Sequence, residues 1–123
     1  MGSKVKAILG YDIAEGVTEE EYDAWLWDIH YPDLLANPFI DHIELNTVIR
    51  PITTTSAGTA AAKDPLVFDR IAELHFVDHA AYSDYLDWFK EHPIPRERSP
   101  EGRSEFVFYV LSDVRRAERD TSS

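Results

Sequence analysis

The sequence predicts an α+β fold of the ferredoxin-like type, with strands and helices in the order β-α-β-β-α-β and both helices on one face of a four-stranded antiparallel sheet. Three observations predict it. Apolar and polar residues alternate in four segments, two other segments carry apolar stripes at helical spacing, and turn or capping signals separate them. At 123 residues, the chain is long enough for one domain and too short for two. We expect the domain to span residues 1–114 and residues 115–123 to form a frayed tail.

The first strand and the first helix are predicted at residues 4–13 and 19–31. Apolar residues recur at every second position of the strand segment. Thr18 is predicted to cap the helix, with Glu21 reaching back to it from three residues later. The helix carries one apolar stripe, and we expect it to end before Pro32, because proline disfavours a helical conformation in the residue that precedes it.

The second and third strands are predicted at residues 39–51 and 67–77, where apolar and polar residues again alternate. Between them, residues 52–66 are small and polar and nearly free of large apolar groups. Such a segment buries too little apolar surface to offset the entropy lost on ordering. We therefore expect a mobile loop there.

The second helix and the fourth strand complete the fold. Asp78 is predicted to cap the helix, which should end at His92 because Pro93 cannot donate the next helical hydrogen bond. A charged loop then leads to the fourth strand, EFVFYVLSDV at residues 105–114.

The sheet face opposite the helices predicts a partner subunit. This face should carry Ile8, Ile71 and either Val107 or Val110 among polar groups, which is too apolar for a surface in contact with water. We therefore expect a homodimer in which the open faces of two sheets pack together, a dimeric α+β barrel.

Charge and composition narrow the classes of function. The chain has 23 acidic and 12 basic residues and a net charge of −11, so we expect neither a nucleic-acid partner nor binding to an anionic membrane. It has no cysteine, which excludes disulfides, thiolate metal ligands and a cysteine nucleophile. No signal peptide and no run of ~20 apolar residues is recognisable. We expect a cytoplasmic protein.

Three segments carry a pattern that resembles a known superfamily. They are WLWDIHYP at 25–32, HIELNTV at 42–48 and FDRIAELHF at 68–76. In this order they match a helix-terminal His-x-Pro, a strand with an asparagine and a strand that reads roughly D-x-I-A-E-L-x-F. The chain resembles, over about residues 4–113, the EthD-like branch of the dimeric α+β-barrel superfamily. REDY-like proteins of pigment biosynthesis are similar, and olivetolic acid cyclase, a plant polyketide cyclase, is distantly so.

The resemblance implies a cofactor-free enzyme that acts on a small hydrophobic substrate with a carbonyl group, often derived from a polyketide. Members of the superfamily include cyclases, dehydratases, decarboxylases and cofactor-independent oxygenases. By resemblance to olivetolic acid cyclase, Tyr85 and His92 correspond to catalytic residues of the second helix and its end. Val5 and Arg70 stand where that cyclase has histidines, and the EthD-like pattern adds His30 as a base.

The residues themselves indicate acid–base chemistry. His30 lies one helical turn after Leu26 and suits a general base, because an imidazole with a pKa near ~6.5 takes up a proton near neutral pH. The alternative is a helix-end histidine that donates to a carbonyl of the last turn. Tyr11 and Tyr85 are expected to donate to a substrate carbonyl or an enolate oxygen, or else to pack as core residues.

Four further residues are candidates for binding the substrate. Arg70 is predicted on the helix-facing side of a central strand, where a guanidinium needs a carboxylate, either from the substrate or from an ion pair within the protein. Trp25, Leu9 and Phe89 are expected to line the pocket.

Histidines and carboxylates on the second and third strands suggest a metal site, but we expect none. They stand at alternating positions of two strands, without an H-x-H or H-E-x-x-H spacing that would bring two ligands together. We expect them to pair across the dimer interface instead. The residues are His42, Glu44, Asn46, Asp69, Glu73 and His75.

The leading hypothesis is a cyclase, dehydratase or lyase in which His30 or His92 removes a proton next to a carbonyl. Tyr85, Tyr11 and Arg70 would stabilise the resulting enolate. Two alternatives remain open, a cofactor-independent monooxygenase that forms a quinone and a non-catalytic barrel that binds a small ligand. The sequence has no nucleotide-binding, zinc or serine-hydrolase motif, so we expect no cofactor.

Overall fold

The computed structural model describes residues 4–48, 53–54, 60–61 and 69–119. Six strands are present, four of which form one antiparallel sheet in the order β2-β5-β1-β6, while the other two pair with each other. This sheet and its helices confirm the predicted ferredoxin-like α+β class. The strands are β1 (Val5–Ile13), β2 (His42–Thr47), β3 (Thr53–Thr54), β4 (Ala60–Ala61), β5 (Arg70–Phe76) and β6 (Ser104–Asp113).

The helices begin at the predicted caps. Their bounds are α1 (Glu19–Trp25), α2 (Tyr31–Leu35) and α3 (His79–Glu91), with a π-helical turn at Leu26–His30 and a 3₁₀ turn at Arg96–Arg98. The Thr18 hydroxyl accepts a hydrogen bond from the backbone N–H of Glu21 at 3.1 Å. The Asp78 carboxylate accepts one from the N–H of Ala81 at 2.8 Å. Both side chains satisfy a donor that the first helical turn leaves free.

The prediction that the first helix ends before Pro32 was wrong, because the helical path continues to Leu35. In the π-helical turn, the backbone N–H of Tyr31 donates to the carbonyl of Leu26, five residues earlier. Pro32 therefore lies in the first turn of α2, after the regular i→i−4 pattern has been interrupted. Proline is tolerated there, since its missing N–H and its ring disrupt little at the start of a helix.

The π-helical turn also changes which residues contact the sheet. Tyr22, Trp25 and Leu26 are buried as the sequence stripe predicts, but the next buried residues are Tyr31 and Leu34. Ile29, the expected next member of that stripe, is only partly buried and packs at the edge of the core. The extra residue in the turn thus rotates the following helix so that Tyr31 faces the core.

The core lies between the helices and one face of the sheet. Alternate residues of β1 and β5 are buried there, and directly opposite residues of an antiparallel pair share a face. The other face carries Ile8 with Val110 opposite it, and Ile71 with Gly10 opposite it. The buried strand residues are Val5, Ala7, Leu9, Tyr11, Arg70, Ala72, Leu74 and Phe76.

A β-bulge in β6 alters the alternation of its side chains. Gly10 pairs with Phe108, but Tyr11 pairs with Phe106, so Val107 is the extra residue. Phe106 and Tyr109 consequently share the helix-facing side of the sheet. A Cβ atom at Gly10 would overlap the Phe108 ring, which explains glycine at this position.

Two of the predicted strands are longer than the strands observed in the structure. Residues 39–51 and 67–77 yield strands only at 42–47 and 70–76 among the described residues. The predicted mobile loop at 52–66 falls largely outside the described residues, within which Thr53–Thr54 pairs with Ala60–Ala61. The predicted tail has neither helix nor strand at 115–119, and residues 120–123 lie outside the description. No helix within the described ranges is long and apolar enough to cross a membrane.

Candidate active site

A cavity of about 180 Å³ lies between the helices and the sheet. Aliphatic side chains form much of its wall, and five tyrosines and one histidine supply polar groups. The residues that line it are Leu9, Tyr11, Tyr22, Leu26, His30, Tyr31, Leu34, Ala72, Leu74, Tyr85, Pro100, Ser104, Phe106 and Tyr109. Apolar walls with a few convergent polar groups are typical of small-molecule sites.

His30 lies in the cavity wall, where burial favours the uncharged form of its imidazole. Its ring stacks on Trp25, with centroids 4.7 Å apart and planes 13° from parallel. Its Nδ1 atom is buried and has no hydrogen-bond partner within the described part of the chain. Burial lowers the pKa of His30 to about 4; the Asp33 carboxylate opposes this shift and the Arg103 guanidinium adds to it. The imidazole is therefore neutral at pH 7 and keeps a lone pair, although the same burial makes it a weaker base than an exposed histidine.

The phenols around His30 are hydrogen-bond donors that do not ionise near neutral pH. Burial raises the pKa values of Tyr11, Tyr31 and Tyr85 well above the usual value for tyrosine. The Tyr31 hydroxyl is buried and, among the described residues, lacks a hydrogen-bond partner. The Tyr22 hydroxyl is instead 2.7 Å from the Ser104 hydroxyl. Tyr31 thus offers a hydroxyl without a partner in the same cavity wall that holds His30.

The cavity reaches the surface next to β6. Phe106 and Tyr109 both line it, yet they are 50% and 49% exposed. The buried Tyr22 and Leu26 form the wall on the α1 side. A ligand would therefore enter past the β6 side chains, which the bulge places on this face.

The structure brings four of the predicted site residues together at the cavity, namely His30, Tyr11, Tyr85 and Leu9. Trp25 was expected to line the pocket but lies behind His30 and supports it by stacking. Its indole N–H donates to the backbone carbonyl of Arg98 at 3.1 Å. Trp25 therefore holds the imidazole in place without lining the cavity itself.

His92 and Phe89 do not line this cavity, contrary to expectation. His92 is exposed at the end of α3, where its ring stacks on Trp88 at 4.3 Å and its Nδ1 lies 3.0 Å from the Trp88 carbonyl. Phe89 packs edge-on against Tyr85, with centroids 5.1 Å apart. Both residues line a separate shallow depression. The chain leaves the helical conformation at His92, which directs this side chain away from the cavity.

Arg70 was expected to bind a substrate anion, with an internal ion pair as the alternative, and the structure contains the ion pair. Its guanidinium donates to the Asp23 and Glu19 carboxylates, each at 2.9 Å. The residue is 2% exposed and does not line the cavity. The two α1 carboxylates therefore pair with the Arg70 guanidinium, which would otherwise be a buried charge without a partner.

Several cavity residues were missed in the sequence. Tyr31 and Leu34 reach it only because of the π-helical turn, and Phe106 and Tyr109 share its side only because of the bulge. Neither irregularity has a reliable signal in the sequence. Tyr22 was recognised as part of the helical stripe, but not as a cavity residue.

Strand pairing brings together three of the histidines and carboxylates on β2 and β5, which their spacing along the chain does not predict. His42 stands directly opposite His75. Ligand atoms of His42, Glu44 and His75 all lie within 4.8 Å of one another.

Comparisons with known proteins support the fold. No protein-family model and no curated protein sequence matches the chain. An EthD-like protein from Ralstonia eutropha JMP134 has 14% identity and a TM-score of 0.60, over 97% of this chain and 100% of that one. An ethyl tert-butyl ether D family protein from Bacillus halodurans C-125 has 14% identity and a TM-score of 0.60, over 91% and 99%.

A third similar structure is that of SnoaB from Streptomyces nogalater, which is described as a cofactor-independent oxygenase. It has 12% identity and a TM-score of 0.58, over 97% of this chain and 100% of that one. The chain therefore shares the ferredoxin-like fold of EthD-like proteins and of SnoaB along almost its whole length.

Proposed function

We propose that this protein is a cofactor-free acid–base enzyme of small-molecule biosynthesis, a cyclase, dehydratase or other lyase that acts next to a carbonyl group. His30 is the base, and the substrate is a small aromatic or polyketide-derived compound. One observation carries the proposal: an uncharged imidazole, whose buried Nδ1 has no hydrogen-bond partner among the described residues, lies in the wall of an apolar cavity that is rich in phenols.

The proposed reaction begins with a proton transfer. The substrate C–H bond breaks, a new N–H bond forms on His30, and the electron pair moves onto the carbonyl oxygen as an enolate. Tyr31 and neighbouring phenols, which remain protonated, donate hydrogen bonds to this oxygen. The imidazolium then returns the proton to carbon or to a leaving hydroxyl group. Burial favours the neutral imidazole, so it also favours release of that proton.

The size of the cavity limits the substrate. Its volume of about 180 Å³ is close to that of engineered apolar cavities that bind benzene, roughly 150 Å³. It accommodates about one aromatic ring, and a second ring can extend toward the opening at β6. We therefore propose a one- or two-ring substrate whose carbonyl group reaches the tyrosines.

A cofactor-independent monooxygenase is the second candidate. The likeness to SnoaB favours this possibility, and the same base would form the phenolate or carbanion that reacts with oxygen. A non-catalytic barrel that binds a small ligand is the third candidate, since an apolar cavity alone suits that role.

Two bicyclic probes separate these candidates. 2-Tetralone has acidic hydrogens between its carbonyl and its ring, and their exchange in D₂O is followed by NMR. 1-Naphthol consumes one O₂ per molecule when it is oxidised to 1,4-naphthoquinone and water. An oxygen electrode measures this uptake of O₂. We expect protein-dependent exchange of 2-tetralone above the buffer rate and no oxygen uptake. Oxygen uptake would instead support the monooxygenase, and binding without either reaction would support the ligand-binding barrel.

The pKa of His30 predicts how stability depends on pH. An unfolded chain protonates His30 near pH ~6.5, whereas the folded protein does so only near pH 4. The unfolded state therefore binds more protons between these values, and the contribution of His30 to stability is lost as pH falls through this window. Between pH 6.5 and 5 the loss amounts to at most about 2 kcal/mol. Urea unfolding at both pH values should show a smaller difference in His30→Gln, and equal differences would contradict the shift.

We further propose that the protein is a homodimer that pairs through the open sheet face. Exposed apolar side chains on this face would otherwise contact water, and such surfaces are usually covered. Val110, which is 47% exposed, shares the open face with Ile8. Light scattering should give twice the mass of the chain, and Val110→Glu should shift the protein toward monomer. A monomeric wild type would refute the proposal.

A further inference from the structure

A second group of polar residues lies on the sheet face opposite the cavity. The rings of His42 on β2 and His75 on β5 are stacked, with centroids 4.2 Å apart and planes 11° from parallel. Glu44 follows two residues after His42 and shares its face. Ligand atoms of the three residues lie within 4.8 Å of one another. Two strands thus present two imidazoles and one carboxylate at a single place on the surface.

We propose that His42, Glu44 and His75 bind a divalent first-row transition metal ion such as Zn²⁺. Imidazole nitrogens favour such ions over Mg²⁺ and Ca²⁺, which prefer oxygen ligands throughout. Two histidines and one carboxylate leave a coordination position open to water or to another ligand. The site is separate from the cavity of His30, so its existence does not depend on the proposed acid–base function.

The surroundings of the histidines support this site. The Asp41 carboxylate lies 2.7 Å from Nδ1 of His42 and can fix the ring so that Nε2 remains for a metal. Nε2 of His75 lies 3.0 Å from a Glu44 oxygen and 3.1 Å from a Glu73 oxygen. Glu73 in turn accepts hydrogen bonds from Lys6 at 2.8 Å and from Asn46 at 3.2 Å. The Asp41 contact with His42 is of the kind that orients histidine ligands in metal sites, whereas Glu73 contacts the same His75 nitrogen as Glu44.

The distances agree with a metal site that closes by small side-chain movements. Tetrahedral Zn²⁺ with bonds of about 2.0–2.1 Å places its ligand atoms about 3.3 Å apart. The His75 and Glu44 atoms already lie at 3.0 Å. In the single subunit the side chains of His42 and Glu44 are 49% and 59% exposed and can approach the ion. They lie on the open sheet face proposed for the dimer, so the site is tested in the native oligomer.

The competing explanation is a network of hydrogen bonds without a metal, in which Nε2 of His75 lies between the Glu44 and Glu73 carboxylates. Asp41, Glu44 and Glu73 supply three negative charges, against which Lys6 contributes one positive charge. Lys4, Arg115 and Arg116 line the same depression, and Arg116 is paired with Glu118 at 2.7 Å. Metal titration separates the two explanations.

The experiment titrates Zn²⁺ into the metal-free, untagged protein in its native oligomeric state and measures the heat of binding. We expect one ion per chain, with Kd increased by roughly 100-fold or more in His42→Ala and in His75→Ala. His79→Ala is the matched control, because His79 is 66% exposed and paired with a carboxylate, that of Asp113, away from the site. Its Kd should equal that of the wild type. Asp41→Asn should weaken binding by about 10–100-fold, as expected for a group that orients a ligand.

Three outcomes of the Zn²⁺ titration would overturn the metal site. They are the absence of stoichiometric Zn²⁺ binding, unchanged binding in both His42→Ala and His75→Ala, and an equal loss in His79→Ala. Glu44→Gln provides a milder variant if an alanine variant unfolds, and circular dichroism checks the fold of each. Co²⁺ is a second probe, because its visible absorption reports the coordination of bound metal. An unchanged Co²⁺ spectrum in Glu44→Gln would exclude Glu44 as a ligand and overturn the three-residue site.

Discussion

Replacement of His30 by glutamine is expected to slow the protein-dependent exchange of 2-tetralone by roughly 10²–10⁴-fold, the usual contribution of a general base. Glutamine is similar in size to histidine and keeps hydrogen-bonding capacity, but it cannot take up a proton. His30 lines the cavity and keeps its Nδ1 free of partners among the described residues. Initial exchange rates measured by NMR at several substrate concentrations give kcat/KM for both proteins.

His92→Gln is the matched control for this variant. His92 also ends a helical segment and also stacks on a tryptophan, but it is exposed and lies outside the cavity. We expect its kcat/KM to equal that of the wild type. Full activity in His30→Gln would show that His30 is not the general base. A large loss in His92→Gln would instead indicate that His92, at the end of α3, is the base.

Replacement of Asn37 by alanine is expected to lower the free energy of unfolding by about 2–3 kcal/mol. Asn37 is 1% exposed. Its side-chain amide donates to the backbone carbonyl of Tyr85 at 3.0 Å and accepts from the backbone N–H of Phe39 at 2.9 Å. Alanine removes both hydrogen bonds, each worth roughly 1 kcal/mol net, and leaves the buried site of the Asn37 amide partly empty. Urea unfolding followed by tryptophan fluorescence measures the loss.

Leu35→Ala is the control for Asn37→Ala. Leu35 is 51% exposed at the end of α2, so the same region is altered without a buried hydrogen bond. We expect a change of about 0.5 kcal/mol or less. Similar losses in the two variants would show that Asn37 contributes no more than its helical neighbour. A selective loss would show that this side chain joins the end of α2 to α3, which carries Tyr85.

Local chemistry allowed much of the fold to be predicted. Thr18 and Asp78 identified both helix starts, because a capping oxygen is a local requirement of the first turn. Alternation identified the buried face of β1 and β5, and hence placed Tyr11 on the cavity side. The helical stripe similarly placed Tyr85. These predictions succeed because each feature is determined by residues that lie close together in the chain, so that it can be recognised in the sequence.

The residues that were missed depend on irregular or long-range geometry. Tyr31 reaches the cavity through one additional residue in a helical turn, and Tyr109 shares the side of Phe106 through one additional residue in β6. His42 meets His75 because two strands pair in one register out of several. Packing of the whole domain sets these features. Arg70 shows the same limit, since its carboxylates lie 47 and 51 residues away.

The π-helical turn has a consequence for the comparison of homologous sequences. A regular α-helix advances about 100° per residue, so a homologue lacking the additional residue would present a different set of side chains after the turn. An ungapped alignment anchored on the proline at position 32 would equate residues before the turn that point in different directions. Homologues should therefore be aligned with a one-residue gap between Leu26 and His30 wherever the turn is absent. Residues of α1 such as Tyr22 and Trp25, if compared without that gap, would be displaced by about 100° around the helix axis.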